Sequence, residues 1–166
     1  MKNVIRTNKI PENSMILKDF GETHYCDSYL IRTQTNNSID KIATDIFKTP
    51  KWADMLMGIR NIVVNIVGLK GGGYKKDTYS SDYYPVGSRA VYFTVIDRNE
   101  NEIVMAENDK HLNFRVSVMI HRYEDMVTIN LSTIVKYNNF LGRLYFCPVK
   151  PFHKLIIISL LKRLLK

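Results

Sequence analysis

Between His111 and His121 the chain alternates without a break: Leu112, Phe114, Val116, Val118 and Ile120 are separated by Asn113, Arg115, Ser117 and Met119. Val127, Ile129, Leu131, Thr133 and Val135 repeat the pattern, with Thr128, Asn130 and Ser132 between them. A period of two over this length predicts strands with one dry and one wet face, which is the antiparallel case. Two more strands are expected at 90–97 and 102–107, joined by a turn at 98–101, and residues 122–125 turn the last pair. These four strands make a meander. Upstream, residues 24–33 (HYCDSYLIRT) are rich in aromatic and β-branched side chains and read as a first strand.

The period changes after Asn36 and Asn37. Ser38 is placed to cap a helix in which Ile39, Ile42, Ala43, Ile46 and Phe47 share one face. Thr49 and Pro50 then open a second helix, with Trp52, Met55, Leu56, Ile59, Val63, Ile66 and Val67 as its apolar stripe and Gly68 just past its end. At the C-terminus, PFHKLIIISLLKRLLK predicts a third helix that starts near Pro151 and His153 and is apolar over a wide arc. The order strand, two helices, meander, terminal helix is α+β, in one domain at 14–166 behind an N-terminal extension at 1–13. A curved antiparallel sheet whose dry face is covered by a long C-terminal helix resembles the helix-grip arrangement of START-type and polyketide-cyclase-like domains.

Charge narrows the choice of partners. The 166 residues carry a formal charge of +8, yet the segment from Asn138 onward has six basic residues and no acidic one, which leaves +2 for the rest. An excess confined to one terminal segment does not describe a nucleic-acid groove with interleaved aromatics, and implies at most a weak, salt-sensitive attraction to anionic membranes. No apolar leader opens the chain and no run approaches the roughly 18 apolar residues of a bilayer span, so a cytoplasmic location without a transmembrane segment is expected. Cys26 and Cys147 lack metal-ligand spacing and are expected to be reduced, partly buried thiols. Neither metal nor cofactor is indicated. The glycine run GLKGGGYKKD (68–77) spaces Gly68 and Gly73 as a phosphate loop would, but Tyr74 stands where lysine is needed and a helix precedes the glycines instead of following them. It reads as a helix stop entering a connector, Lys70 to Gly87, long enough to act as a lid or binding loop.

Three stretches, WADMLMGIRNIVVNIVGLK (52–70), NEIVMAENDKHLNFRVSV (101–118) and GRLYFCPVKPFH (142–153), resemble a bacterial family of unknown function, some members of which are fused behind short-chain-dehydrogenase-like NAD-binding domains. The resemblance runs from about Tyr25 to the C-terminus. Its D-x-H-L-[DN]-F-R element falls on Asp109, His111, Leu112, Asn113, Phe114 and Arg115, and its P-F-H element on Pro151, Phe152 and His153. It implies no reaction, and this chain has no strand-linked G-x-G-x-x-G on which dehydrogenase chemistry would depend.

The candidate residues follow from faces. Asp109, His111, Asn113 and Arg115 form a row that meets an anion or metal together, or else bonds its own turns and backbone. Asp27 alternates with Tyr25, Tyr29 and Ile31: turned inward it needs a hydrogen bond or a raised pKa and becomes a polar anchor or an acid, and turned outward it is solvated. Tyr29, Trp52, Leu56, Phe93, Phe114, Val116 and His153 complete the expected lining of a cavity. The leading expectation is a domain that binds a small apolar or aromatic molecule between sheet and terminal helix. A cyclase- or hydrolase-type enzyme using Asp27 or His153, and a structural or membrane-peripheral module using the basic helix, are the alternatives.

Overall fold

The computed structural model describes residues 3–7, 9–48 and 81–165 and the single positions 51, 54, 58 and 61. Seven strands form one antiparallel sheet: β1 (Ile5–Thr7), β2 (Tyr25–Thr33), β3 (Arg89–Ala90), β4 (Phe93–Arg98), β5 (Glu102–Asn108), β6 (Leu112–Tyr123) and β7 (Met126–Tyr137), in the order β1-β2-β7-β6-β5-β4-β3. The expected meander is β4 to β7. Register carries one apolar row straight across the sheet, Tyr29 opposite Leu131, Leu131 opposite Val118 and Val118 opposite Ile103. Helix α1 (Ile39–Phe47) packs on this face with Ile39, Ile42, Ala43, Ile46 and Phe47 buried. The Ser38 hydroxyl caps it by accepting from the Lys41 N–H at 3.2 Å. Lys51, Asp54, Gly58 and Asn61 are helical and exposed, at the spacing of one outward face. Trp52, Leu56 and the connector through residue 80 lie outside the described residues.

Helix α2 (Phe140–Arg163) closes the same face, burying Ile156, Ile157, Leu160 and Leu161 in the core, with Leu165 following its last turn. A sheet curved around a long C-terminal helix is the helix-grip fold. The helix begins eleven residues ahead of the expected start at Pro151, and so includes Pro148 and Pro151. Each proline frees the carbonyl four residues earlier, on Leu144 and Cys147, and both of these residues are on the exposed side of the helix, where a carbonyl without its intrahelical bond costs least. Pro151 is a helix interior on the solvent side, not a helix start.

Three other expectations are corrected. The strand at 90–97 is broken, because Val91 adopts φ 57° and turns the chain so that Ala90 pairs with Phe93. Cys26 and Cys147 are both exposed. The outer sheet face is wet only in part: residues 10–20, with a single 3-10 turn at Met15–Leu17, lie across it and make a second apolar cluster of Ile16, Phe20, Val104 and Ile134. Glu102 is buried beneath this strap, accepting from the Ser14 hydroxyl, the Met15 N–H and the Ser117 hydroxyl. The N-terminal extension itself contributes β1, paired along β2.

Candidate functional site

Odd-numbered residues of β2 face α2, which turns Tyr25, Asp27, Tyr29 and Ile31 inward and resolves the open orientation of Asp27. Asp27 is 2% exposed and Tyr29 1%. Because α2 starts early, it is well formed where it crosses this row. Phe146 and Val149 pack on Tyr25, with the Tyr25 and Phe146 rings 4.9 Å apart, and one turn further His153 reaches Asp27. The His153 Nδ1 is 3.3 Å from Asp27 Oδ2, near enough for an ion pair but not aligned as a hydrogen bond. The Tyr25 hydroxyl donates to the same carboxylate oxygen at 2.6 Å. Lys150 Nζ sits 5.1 Å from the centre of the Tyr25 ring on the outer side of the group.

The electrostatics follow from these contacts. Burial alone would push the Asp27 carboxyl up, but His153 and the Tyr25 hydroxyl outweigh it and hold the group below the usual carboxylate range. Asp27 is therefore an anion inside the fold. Burial, then the Asp27 contact, pushes the Tyr25 phenol far up, and burial with the same charge pushes Tyr29 up to about 12.

Four buried polar atoms have no hydrogen-bond partner among the described residues: Asp27 Oδ1, the Tyr29 hydroxyl, His153 Nδ1 and Glu107 Oε2. Asp27, Tyr29 and His153 meet where α2 crosses β2, and Glu107 projects from the same side of the sheet. Glu107 joins the group through register, since Tyr25 pairs with Val135, Val135 with Phe114 and Phe114 with Glu107, and directly paired residues project to one side. Buried polar side chains on the opposite face are paired, Glu102 as above and Ser28 with Asn130 and Ser132 at 2.7 and 2.9 Å. Buried polar groups are nearly always satisfied; His153 Nδ1 has the Asp27 carboxylate at ion-pair distance, which leaves Asp27 Oδ1, the Tyr29 hydroxyl and Glu107 Oε2 in need of a reason. Around them are Val116, Phe114 and Phe93, the last two ring to ring at 5.4 Å. The polar atoms thus share one side of the sheet with apolar core side chains.

Of the expected lining, Asp27, Tyr29, Phe93, Phe114, Val116 and His153 thus share one side of the sheet, while Trp52 and Leu56 lie outside the described residues. The row Asp109, His111, Asn113, Arg115 is not brought together. Arg115 donates to the carbonyls of Ile16, at 3.0 Å, and Lys18, and lies 4.9 Å from the Phe20 ring centre, so it secures the strap. His111 contacts the side-chain amide of Asn139, whose oxygen caps α2 by accepting from the Gly142 N–H at 3.0 Å. Asp109 accepts from its neighbour's N–H at Lys110. Two members of the inner group were missed from sequence: Tyr25, noted only as a neighbour of Asp27, and Glu107, whose signal is the alternation Ile103, Met105, Glu107.

A model of a family described as protein of unknown function (DUF2867) matches residues 20–160. No curated protein matches the sequence. Among solved structures, CalU16 from Micromonospora echinospora is similar at a TM-score of 0.31 and 8% identity, over 66% of this chain and 59% of that one. Ara h 8.0201 is similar at a TM-score of 0.35 and 8% identity, over 85% of this chain and 99% of that one.

Proposed function

The chain belongs to the DUF2867 family, a name that carries no reaction, and from its own geometry we propose that it binds a small, mainly apolar molecule bearing a hydroxyl or amine between the sheet and α2. The observation that supports this reading is the set of unpaired polar atoms on the concave face, against the paired ones on the outer face. Asp27 Oδ1 is an acceptor only, since its carboxyl is ionised, and a ligand donor is the complement it lacks. Tyr29 offers a hydroxyl one step along the strand. Phe93, Phe114 and Val116 supply apolar contact for the rest of the molecule. Leaving a buried acceptor unpaired costs about 1–3 kcal/mol, so a ligand hydroxyl that pairs with Asp27 gains over the same skeleton without it.

Thermal-shift screening of alcohols and amines on aliphatic, sterol and aromatic skeletons, each against its deoxy or deamino analogue, tests the reading. A true ligand at a hundred times its dissociation constant adds about 2.7 kcal/mol of stability. The hydroxylated member of a pair is expected to bind more tightly, with the preference lost in Asp27→Asn. No shift from any compound would remove the proposal.

The approach of His153 to Asp27 favours a second reading, acid–base catalysis on the bound molecule. A carboxylate beside one imidazole nitrogen orients the ring and leaves the other nitrogen to exchange a proton with a substrate. His153 Nε2 has no hydrogen bond among the described residues. Proton exchange into carbon acids in deuterated water, followed by NMR and abolished by His153→Gln, separates an enzyme from a binding protein.

A further inference from the structure

Helix α2 is apolar on both sides. Its inner side carries Phe146, Val149, Ile156, Ile157, Leu160 and Leu161 into the core. Its outer side nevertheless presents Phe140, 74% exposed, Leu144, 44%, Phe152, 42%, and Leu155, 63%. With the exposed Pro148 and Pro151 between them, these positions recur every three or four residues and form one ridge along the helix. By length and composition the helix could cross a bilayer. Spanning is excluded by the inner side, which the sheet and α1 already hold. The outer ridge is the part left unexplained, because scattered exposed apolar residues are ordinary and a contiguous line of four large ones is not.

Charge identifies what the ridge fits. Arg143, Lys150 and Lys154 fall seven and four residues apart, a second line parallel to the ridge and beside it, and Lys162 continues the exposed face in the last turn. No acidic residue occurs from Asn138 to Lys166. An apolar ridge flanked by cations, with no anion on the same segment, complements a layer of anionic headgroups over hydrocarbon. A second protein surface would need its own acidic border, and a second copy of this chain would set these cations against one another. We propose that α2, still docked on the sheet, is an interfacial membrane-binding element that lies flat on anionic lipid, with Phe140, Leu144, Phe152 and Leu155 entering the headgroup boundary and Arg143, Lys150 and Lys154 meeting the phosphates. The body of the domain stays on the water side.

The experiment is flotation of the full chain with vesicles of phosphatidylcholine alone and of phosphatidylcholine with a third phosphatidylserine. Association with the anionic vesicles only, falling as salt is raised because exposed charges are screened, is the expected result. Phe152→Ser with Leu155→Ser should lower the partition coefficient roughly tenfold or more, since both side chains lose apolar contact with lipid. Should that variant lose its cooperative thermal transition, Arg143→Glu with Lys154→Glu gives the same test through charge. Failure of the intact chain to float with anionic vesicles overturns the proposal. So does flotation that the ridge variant leaves unchanged, or a sedimentation measurement showing a lipid-free dimer that the ridge variant dissociates.

Discussion

Asp27 remains charged beneath α2 because its neighbours more than offset what burial costs, and this has a consequence for acid stability. Its folded carboxyl titrates below that of the unfolded chain, so protons bind the unfolded state first. The stabilisation is complete above the unfolded value of about 3.9 and is lost as pH falls through the lower folded one. Asp40 and Asp45 act in the same direction: burial would raise each, but Arg98 with the Tyr84 N–H, and Lys48 with Lys41, outweigh it. Unfolding by urea should therefore require less denaturant below about pH 4. Asp27→Asn should cost about 1.5–3 kcal/mol at pH 7, the range for a hydrogen bond to a charged group, and the gap from the parent should narrow progressively as pH falls below about 4. A gap that stays constant with pH would mean that the charge of Asp27 contributes nothing. Gly142 gives a steric prediction instead. A Cβ there would stand 1.9 Å from the His111 carbonyl oxygen, a backbone atom that cannot swing aside. Gly142→Ala should cost at least about 1–3 kcal/mol in a thermal melt, the usual range for overpacking, by forcing the first turn of α2 off the β5–β6 turn.

Elements are joined here by a buried ion pair that no periodicity could disclose. Arg98, at the end of β4, meets Asp40 in the first turn of α1 through two bonds of 2.6 and 3.0 Å, and also donates to the Tyr84 carbonyl at 2.6 Å. Asp40 in turn accepts from the Tyr84 N–H at 2.8 Å. Helix, strand and the segment leading into β3 are thus tied at one point. Arg98→Ala should cost about 3–5 kcal/mol because it strands a buried carboxylate, whereas Arg98→Ala with Asp40→Ala should cost less than the sum of the two single changes. A urea double-mutant cycle measures that difference. The same contrast explains what the sequence discloses. The Ser38 cap, the α1 stripe and the alternation of β6 and β7 are local, and each was readable. Val91 at positive φ, the continuation of α2 through Pro148 and Pro151, and the strap at 10–20 depend on contacts distant in sequence, so local rules misplace or omit them. The site divides in the same way: alternation groups Asp27 with Tyr29, but only the register across four strands sets Glu107 on their side and only the early start of α2 carries His153 to them.

At the scale of the molecule, the sheet is covered on both faces by chain ends, the strap from the N-terminal side and α2 from the C-terminal side, with α1 beside α2. The two covers differ in weight. The strap buries Ile16 and Phe20 and satisfies Glu102, a small apolar cluster around one polar anchor. Helix α2 contributes Ile156, Ile157, Leu160, Leu161 and Leu165 to the central core. At about 1.5–3 kcal/mol for each fully buried aliphatic side chain, these five represent on the order of ten kcal/mol. The whole stability of a domain is about 5–15 kcal/mol. Their removal would also take a cover from the cluster to which Val118, Ile120, Ile129 and Leu131 belong. Deleting residues 156–166 should therefore abolish cooperative unfolding, yielding a chain that aggregates or keeps strands without fixed side-chain packing, visible as lost near-ultraviolet circular dichroism and collapsed methyl dispersion in NMR. Retention of a sharp thermal transition by the truncated chain would show that α1 and the remaining turns of α2 cover the sheet without it, and that the grip of the terminal helix is not what holds this fold together.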